Sequence, residues 1–272
     1  TLWTMPSDEE KAAYQRQLDS LANVEAERYA RLEEEKLKAD SAKPVVAVAQ
    51  ADTSVSAADQ ALADSLRAAS LSKRFGLFAP ATEGKVEEVT IGNERLQVSF
   101  STQGARPTVM VLKEYKTYAQ TPLLLADPDS GRYEFTFRAD QGDISTKDLF
   151  FTAEKVGEDA VRFTAPTSSA GKALRITYKL DSASYFLHAD MEFVGLKEEV
   201  DPAYFQFTWD IAGRSNEKHK PSESQKCGIY YKYFADDRSY IGETEAEEEK
   251  LEGRTNWVAF KQDFFTVAMV SD

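Results

Sequence analysis

The sequence is poor in the side chains that build disulfides and metal sites. Its 272 residues include one cysteine, Cys227, and two histidines, His188 and His219. A single cysteine excludes an intramolecular disulfide and a cysteine metal cluster. Two histidines make a multi-histidine metal site implausible. We therefore expect neither a metal nor a cofactor.

Positive charge and long apolar runs are also scarce. Lys and Arg number 33 against 46 Asp and Glu, so the formal net charge is −13 and the pI about 4.8. Such a surface repels phosphate, which argues against nucleic acid or anionic lipid headgroups as main partners. Six glutamates fall within residues 243–254, which we interpret as a solvated loop or short exposed helix. No stretch reaches the roughly 18–20 apolar residues that a membrane span needs.

Glycine is absent from residues 1–75 and occurs 13 times after them. The glycine-free part is rich in Ala, Glu, Lys, Arg, Gln and Leu, which favour helices because they lose little side-chain freedom there. We predict a helix over residues 8–38, a linker over 40–58 and a second helix over 57–70. The first helix has a thin apolar stripe, so it is a solvated spacer or a partner-binding arm.

The glycine-containing part shows a period-two pattern. Apolar and polar side chains alternate over residues 96–101, 133–138, 174–180 and 205–211. Each run predicts a strand with one buried face and one wet face. Short strands between Gly, Asn, Asp and Pro indicate antiparallel sheets packed as a sandwich or barrel. The predicted fold class is therefore mainly β, preceded by an N-terminal helical segment.

Three further runs, residues 109–112, 229–234 and 257–260, are apolar on both faces. Strands of this kind belong in the middle of a layered structure, or at a surface that something else covers. We favour the core interpretation for all three.

Motifs of phosphate binding and hydrolysis are missing. The sequence contains no dinucleotide-binding or P-loop glycine motif, no His-Glu-x-x-His and no Gly-x-Ser-x-Gly. Cys227 with His219 is a poor candidate for a thiol dyad, and we expect an inert thiol. His188 with Asp190 or Glu192 is the one acid–base candidate, although an exposed or structural histidine is the commoner case. We expect no catalytic residue.

Five segments in the second part act as landmarks. In order they are NERLQV (93–98), STQGAR (101–106), VLKEYKTY (111–118), IYYKY (229–233) and NWVAFKQDFF (256–265). Together they resemble the periplasmic domain of the YidC membrane protein insertase family, in the form carried by Bacteroidetes-type bacteria. The resemblance covers about residues 85–271. The family usually has two glycines before Arg106, whereas the second position here is Ala105.

The resemblance implies a large antiparallel β-supersandwich, related to galactose mutarotase-like proteins, over residues 76–272. Residues 1–75 would then be a helical linker after a membrane anchor outside the chain. The implied function is a non-catalytic periplasmic domain of a bacterial inner-membrane protein, which assists the insertion and folding of inner-membrane proteins. The implied partners are nascent inner-membrane proteins and Sec translocon components. The family continues with more strands, so we expect either that the last strands of the sandwich are missing here or that the family pattern is shortened.

A partner surface is expected at Tyr230, Lys232 and Phe234, as a contiguous exposed patch on the outer face of a sheet. Two alternatives stay open. A carbohydrate-binding or mutarotase-like supersandwich would line a concave sheet with Trp, His and carboxylates around His188 and Trp209. An unrelated sandwich adaptor would use its N-terminal helical arm as a coiled coil.

Overall fold

The computed structural model describes residues 57–117, 121–125, 131–211, 227–235, 237–242 and 248–271. The chain divides into two compact units, Thr1–Asp59 and Gln60–Asp272, and nearly all described residues belong to the second. The predicted helix over residues 8–38 and almost all of the predicted linker lie outside the described residues, as does His219.

An α-helix opens the described part of the chain. This helix, α1, spans Ala57–Phe75 and is followed by a 3-10 helix over Gly76–Thr82. The prediction of a helix from residue 57 is confirmed, and the helix ends five residues later than predicted. Leu62 and Leu66 are exposed, whereas Leu71 packs against the core. The C-terminal end of α1 therefore attaches the helix to the sheets.

Fifteen strands follow in the described residues, and every strand pair is antiparallel. The prediction of a mainly β, antiparallel fold is confirmed. In chain order the strands are β1 Glu88–Gly92, β2 Leu96–Ser101, β3 Arg106–Lys116, β4 Pro122–Leu124, β5 Tyr133–Ala139, β6 Gly142–Ser145, β7 Thr152–Lys155, β8 Ala160–Pro166, β9 Ala173–Leu180, β10 Leu187–Val194, β11 Val200–Trp209, β12 Gly228–Tyr233, β13 Arg238–Gly242, β14 Thr255–Lys261 and β15 Thr266–Val270.

The described strands form four sheets. Sheet I has the order β1-β2-β3-β4, sheet II β10-β9-β8-β7, sheet III β11-β5-β6 and sheet IV β13-β12-β14-β15. Sheets I, II and III share one apolar core with the 3-10 helix, and its largest fully buried side chains are Tyr178, Phe78, Phe100, Phe137 and Phe163. Sheet IV lies largely outside this core. Its buried residues among those described, Tyr231 and Ala259, are not part of the core cluster.

The runs that are apolar on both faces are less buried than expected. Leu112, Tyr231 and Ala259 are buried, one in each run, and most of the other residues in these runs are half-buried. The core interpretation therefore holds for Leu112 in the first run, whereas Tyr231 and Ala259 are buried outside the core that sheets I to III share. The remaining side chains form faces that the described residues cover only in part.

Glu134 departs from the predicted alternation in β5. It was expected on the wet face, yet it is buried. The Ser145 hydroxyl donates to Glu134 Oε2 at 2.6 Å, and Lys147 Nζ lies 3.0 Å from the same oxygen. Burial raises the pKa of Glu134, but the contacts with Ser145 and Lys147 outweigh it and leave the pKa below its usual value. The buried carboxylate is therefore charged at neutral pH.

Replacing Glu134 by glutamine tests this carboxylate. A pKa that is lower in the folded chain contributes stability at neutral pH, and this contribution is lost as the pH falls through the lowered pKa. We expect Glu134→Gln to lower the unfolding free energy by about 1–3 kcal/mol at neutral pH. Urea unfolding should show a smaller difference from the parent chain below about pH 4, where glutamates become protonated.

A matched control is Glu154→Gln on β7, because the Glu154 side chain is 70% exposed and lies 3.5 Å from Arg162. An exposed pair of this kind contributes about 0–1 kcal/mol. If Glu134→Gln lowered stability equally at neutral and acidic pH, the loss would come from packing and not from the charge.

The turn between β2 and β3 has a left-handed backbone at two successive residues. Gly104 has a φ of 80° and Ala105 a φ of 49°. Ala105 is buried, and its carbonyl oxygen accepts a hydrogen bond of 2.9 Å from the buried Tyr178 hydroxyl. The turn thus connects sheet I to sheet II through a residue whose side chain disfavours the conformation by about 1–2 kcal/mol.

We expect Ala105→Gly to stabilise the chain by up to about 1 kcal/mol. Relief of the left-handed strain is offset in part by the entropy that glycine loses on folding, about 0.5–1 kcal/mol. The control is Gly104→Ala, which should destabilise because a Cβ there would lie 3.4 Å from Lys147 Cα at a φ of 80°. Thermal unfolding measures both, and destabilisation by Ala105→Gly would show that the methyl packing dominates.

Candidate partner-binding surface

Strand β12 carries the residues that the sequence predicts as a partner surface. It lies between β13 and β14 in sheet IV. Alternation places Tyr230 and Lys232 on one face of the sheet and Tyr231 and Tyr233 on the other. The Tyr231 and Tyr233 rings are 5.9 Å apart, which agrees with a shared face. We call the face of Tyr231 the inner one, because a residue on that face, Phe260, contacts Trp209 of sheet III.

The inner face of sheet IV packs towards sheet III. Phe260 pairs with Ile229 across β12 and β14, so Phe260 lies on the same face as Tyr231. Its ring meets the Trp209 ring of β11 edge to face, with centroids 4.8 Å apart. Tyr230 and Lys232 consequently lie on the outer face of sheet IV.

The strand register arranges the outer face in two rows of side chains. Tyr230 and Tyr240 are stacked, with ring centroids 5.3 Å apart and 20° between the ring planes. Tyr240 is 65% exposed, and Ala259 is buried. The first row is Arg238, Lys232, Trp257 and Val270, and the second is Tyr240, Tyr230, Ala259 and Ala268. The most accessible polar and aromatic part of this face therefore lies along β13.

Phe234 follows β12 and extends the surface at the end of the strand. Its side chain is 44% exposed, and its backbone N–H donates to the Arg254 carbonyl oxygen at 3.1 Å. The Arg254 guanidinium lies 4.3 Å from the centroid of the Phe234 ring, a cation–π distance. Tyr230 and Lys232 are half-buried, so all three predicted residues are at least partly accessible.

The sequence pointed to Lys232 on this surface but not to the positive charges of Arg238 and Arg254. Lys232 and Arg238 are direct cross-strand neighbours, and Arg254 lies beside Phe234. None of these three side chains makes an ion pair with the residues that the structure describes. The alternation of Arg238 and Tyr240 in the sequence was a usable signal, but only the register places them beside Lys232 and Tyr230. We name the set Tyr230, Lys232, Phe234, Arg238, Tyr240 and Arg254 the cationic aromatic face.

His188, the one acid–base candidate in the sequence, is an exposed histidine, as the commoner case predicts. His188 Nε2 lies 3.0 Å from Asp181 Oδ1 on the exposed side of β10, while Glu192 pairs with Arg175 at 2.9 Å. His188 belongs to sheet II and Trp209 to sheet III. The two residues that define the carbohydrate-binding alternative therefore lie on different sheets. Across the described ranges, no three His, Cys, Asp or Glu side chains are grouped to hold a metal ion.

Two other sequence features flank sheet IV. Cys227 directly precedes β12 and is half-buried, and its candidate partner His219 lies outside the described residues. Of the acidic run over residues 243–254, the part from residue 248 onward is described, and Glu248, Glu249 and Glu252 are exposed. The interpretation of this part as solvated is confirmed.

Comparison with known families decides the assignment. The sequence profile of the YidC periplasmic domain matches residues 88–272, which is well over half of the chain. The chain belongs to this family. The YidC match includes all fifteen described strands, from Glu88 onward. Among the described residues, no helix is both long and apolar enough to cross a bilayer.

Relatives named membrane protein insertase YidC match most of the chain. The protein from Parabacteroides distasonis is 27% identical over 269 residues, covering 98% of this chain and 40% of the relative. That from Amoebophilus asiaticus is 30% identical and covers 75% of this chain and 36% of the relative. The Porphyromonas gingivalis protein is 29% identical, and the match covers 92% of this chain and 39% of the relative. The chain therefore spans about two fifths of the length of these curated relatives.

Among solved structures, a GalM/aldose epimerase homologue from C. elegans is similar at a TM-score of 0.32 and 8% sequence identity. The similarity covers 65% of this chain and 78% of the other.

Proposed function

We propose that this chain is the non-catalytic periplasmic domain of a YidC-type insertase, and that it offers a binding surface to other proteins during membrane protein insertion. The family match over residues 88–272 carries this proposal. The relatives are named membrane protein insertases, and a non-catalytic role is consistent with that name. The proposed location is the periplasmic side of the inner membrane, with attachment through helices outside this chain.

The proposed partners are nascent inner-membrane proteins and components of the Sec translocon. The surface that serves them is centred on Tyr230, Lys232 and Phe234. Aromatic rings with a polar or charged neighbour are the side chains that protein interfaces favour, because they combine a large contact area with few rotatable bonds. The partial exposure of these three residues leaves them accessible to a partner.

The test is a set of chromosomal variants in the organism that makes the protein. Tyr230→Ser, Lys232→Ser and Phe234→Ser are combined, and a reporter inner-membrane protein is pulse-labelled. Protease accessibility of the reporter's periplasmic loop measures insertion, which we expect to be slower because the binding surface is lost.

A matched control combines Lys155→Ser, Val156→Ser and Phe186→Ser, since these residues are exposed and belong to the β7 and β10 regions of sheet II. The control should insert the reporter at the normal rate. Normal insertion in the first variant, at an unchanged level of the protein, would contradict the proposal.

A further inference from the structure

The cationic aromatic face concentrates positive charge in an acidic protein. The whole chain has a formal net charge of −13, yet Lys232 and Arg238 stand opposite each other on neighbouring strands. Like charges at directly opposed positions of a sheet are destabilising. The exposed glutamates that the structure describes after β13 do not pair with Lys232, Arg238 or Arg254. An external anion would therefore offset an existing repulsion.

Aromatic rings flank these charges. Tyr240 is 65% exposed and stacks on Tyr230, while Trp257 is the cross-strand neighbour of Lys232 on its other side. A carboxylate placed between Lys232 and Arg238 would leave the next side chains of the same polypeptide over the tyrosine pair. The face thus suits a ligand that carries both carboxylates and apolar side chains.

The edge of the sheet favours an extended polypeptide as that ligand. Strand β13, which carries Arg238 and Tyr240, has a single strand neighbour among the described residues. An unpaired strand edge can accept the backbone of an extended segment while its side chains contact the adjacent face. Approach to an anionic bilayer is less favourable, because the charge of −13 is repelled by a whole surface of like charge.

We propose that the cationic aromatic face binds acidic polypeptide segments, and that its partners are translocated segments of inner-membrane proteins. The identity of these partners rests on the proposed function. Lys and Arg are enriched in the loops of membrane proteins that stay in the cytoplasm, so translocated loops are depleted of positive charge. Such loops complement Lys232, Arg238 and Arg254, whereas cytoplasmic loops are repelled.

The binding test uses a fluorescein-labelled peptide of repeated Glu-Ser-Phe-Ser units, in which Glu and Phe lie on the same face of an extended chain. A second peptide has Lys in place of Glu. Fluorescence anisotropy with the 272-residue chain should show saturable binding of the acidic peptide. Lys232→Glu combined with Arg238→Glu should weaken that binding at least about tenfold. Added salt should weaken it too, because exposed charges are screened over about 8–10 Å at physiological ionic strength.

The control for net charge is Lys155→Glu combined with Lys197→Glu, two exposed lysines outside sheet IV. This variant should bind the acidic peptide like the parent chain. Lys232→Gln with Arg238→Gln removes the same charges without adding new ones, so it should also weaken binding, and thermal unfolding shows that each variant is folded.

Three results would overturn the inference. The acidic peptide does not bind, or the control weakens binding as much as Lys232→Glu with Arg238→Glu, or vesicles containing phosphatidylglycerol bind the face and displace the peptide. The two proposals fail separately. If the acidic peptide binds but the serine variant inserts the reporter normally, the proposed role in insertion is wrong and the acidic-peptide site remains. If insertion is slowed but the acidic peptide does not bind, the proposed ligand is wrong and the role in insertion remains.

Discussion

Replacing Phe137 by alanine is expected to lower the unfolding free energy by about 3–5 kcal/mol. Phe137 is fully buried in β5, and its ring meets Phe78 of the 3-10 helix at 5.3 Å and Phe193 of β10 at 5.0 Å. One side chain therefore joins sheet III, sheet II and the 3-10 helix. Alanine leaves a cavity where these three elements meet, and a close-packed interior fills such a cavity only in part.

The control for Phe137→Ala lies directly across the strand pair. Phe205 of β11 is the register partner of Phe137, and its side chain is 47% exposed. Phe205→Ala removes the same atoms from the edge of sheet III, so we expect a loss of about 1 kcal/mol or less. Urea unfolding of both variants measures the difference, and equal losses would contradict a core role for the buried Phe137 that the half-exposed Phe205 lacks.

Replacing Asn93 should have the second-largest effect on stability. Its Oδ1 accepts hydrogen bonds from the backbone N–H groups of Arg95 at 2.8 Å and Leu96 at 2.7 Å. Its Nδ2 donates to the carbonyl oxygens of Asp181 at 2.6 Å and Ser184 at 2.8 Å. One amide thus holds the turn between β1 and β2 and connects it to the turn between β9 and β10.

We expect Asn93→Ala to lower the unfolding free energy by about 2–4 kcal/mol, since each hydrogen bond contributes about 0.5–1.5 kcal/mol. Asn93→Asp separates the two roles of the amide. The aspartate keeps the acceptor for Arg95 and Leu96 but places an oxygen against two carbonyl oxygens. Urea unfolding should therefore show a loss for Asn93→Asp that is largest at neutral pH and smaller in acid, where the carboxyl group can donate.

If Asn93→Asp were as stable as the parent chain at neutral pH, the connection between the two turns would contribute nothing. The Asn93→Ala loss would then belong to the β1–β2 turn alone.

Local sequence patterns predicted the strands of the fold well. Alternation located β2, β5 and β9, and helix-favouring composition located the start of α1 at residue 57. These predictions succeed because a period of two or a helical composition is a property of a few neighbouring residues. The role of Asn93 was beyond such reasoning, because its partners Asp181 and Ser184 are 88 and 91 residues away in sequence.

The burial of individual side chains in sheet III also required the structure. Glu134 was predicted to be wet, and Ser145 and Lys147 from later elements are what allow its carboxylate to be buried. Phe205 was predicted to lie on a buried face, but among the described strands β11 has β5 as its single neighbour, and Phe205 is 47% exposed. Alternation gives the two faces of a strand, and the neighbours of the strand decide whether a face is covered.

The candidate surface was likewise predictable only in part from the sequence. The sequence predicted Tyr230, Lys232 and Phe234 from one apolar run. The positive neighbours came from the pairing register, which sets Arg238 opposite Lys232 and Tyr240 opposite Tyr230. No local pattern specifies which residues of β13 face β12, so the charge of this surface was not predictable from the run itself.

Site-specific photo-cross-linking tests the central claim, that this domain offers the surface around Tyr230, Lys232 and Phe234 to proteins being inserted. A photoreactive amino acid replaces Phe234, which is 44% exposed, and in a matched variant replaces the exposed Lys155 of β7. A ribosome-bound inner-membrane protein with a translocated loop is then stalled at the membrane. We predict cross-links from position 234 to the stalled chain or to Sec components and none from position 155. Equal cross-linking from both positions, or none from position 234 while the loop is exposed to the periplasm, would contradict the account.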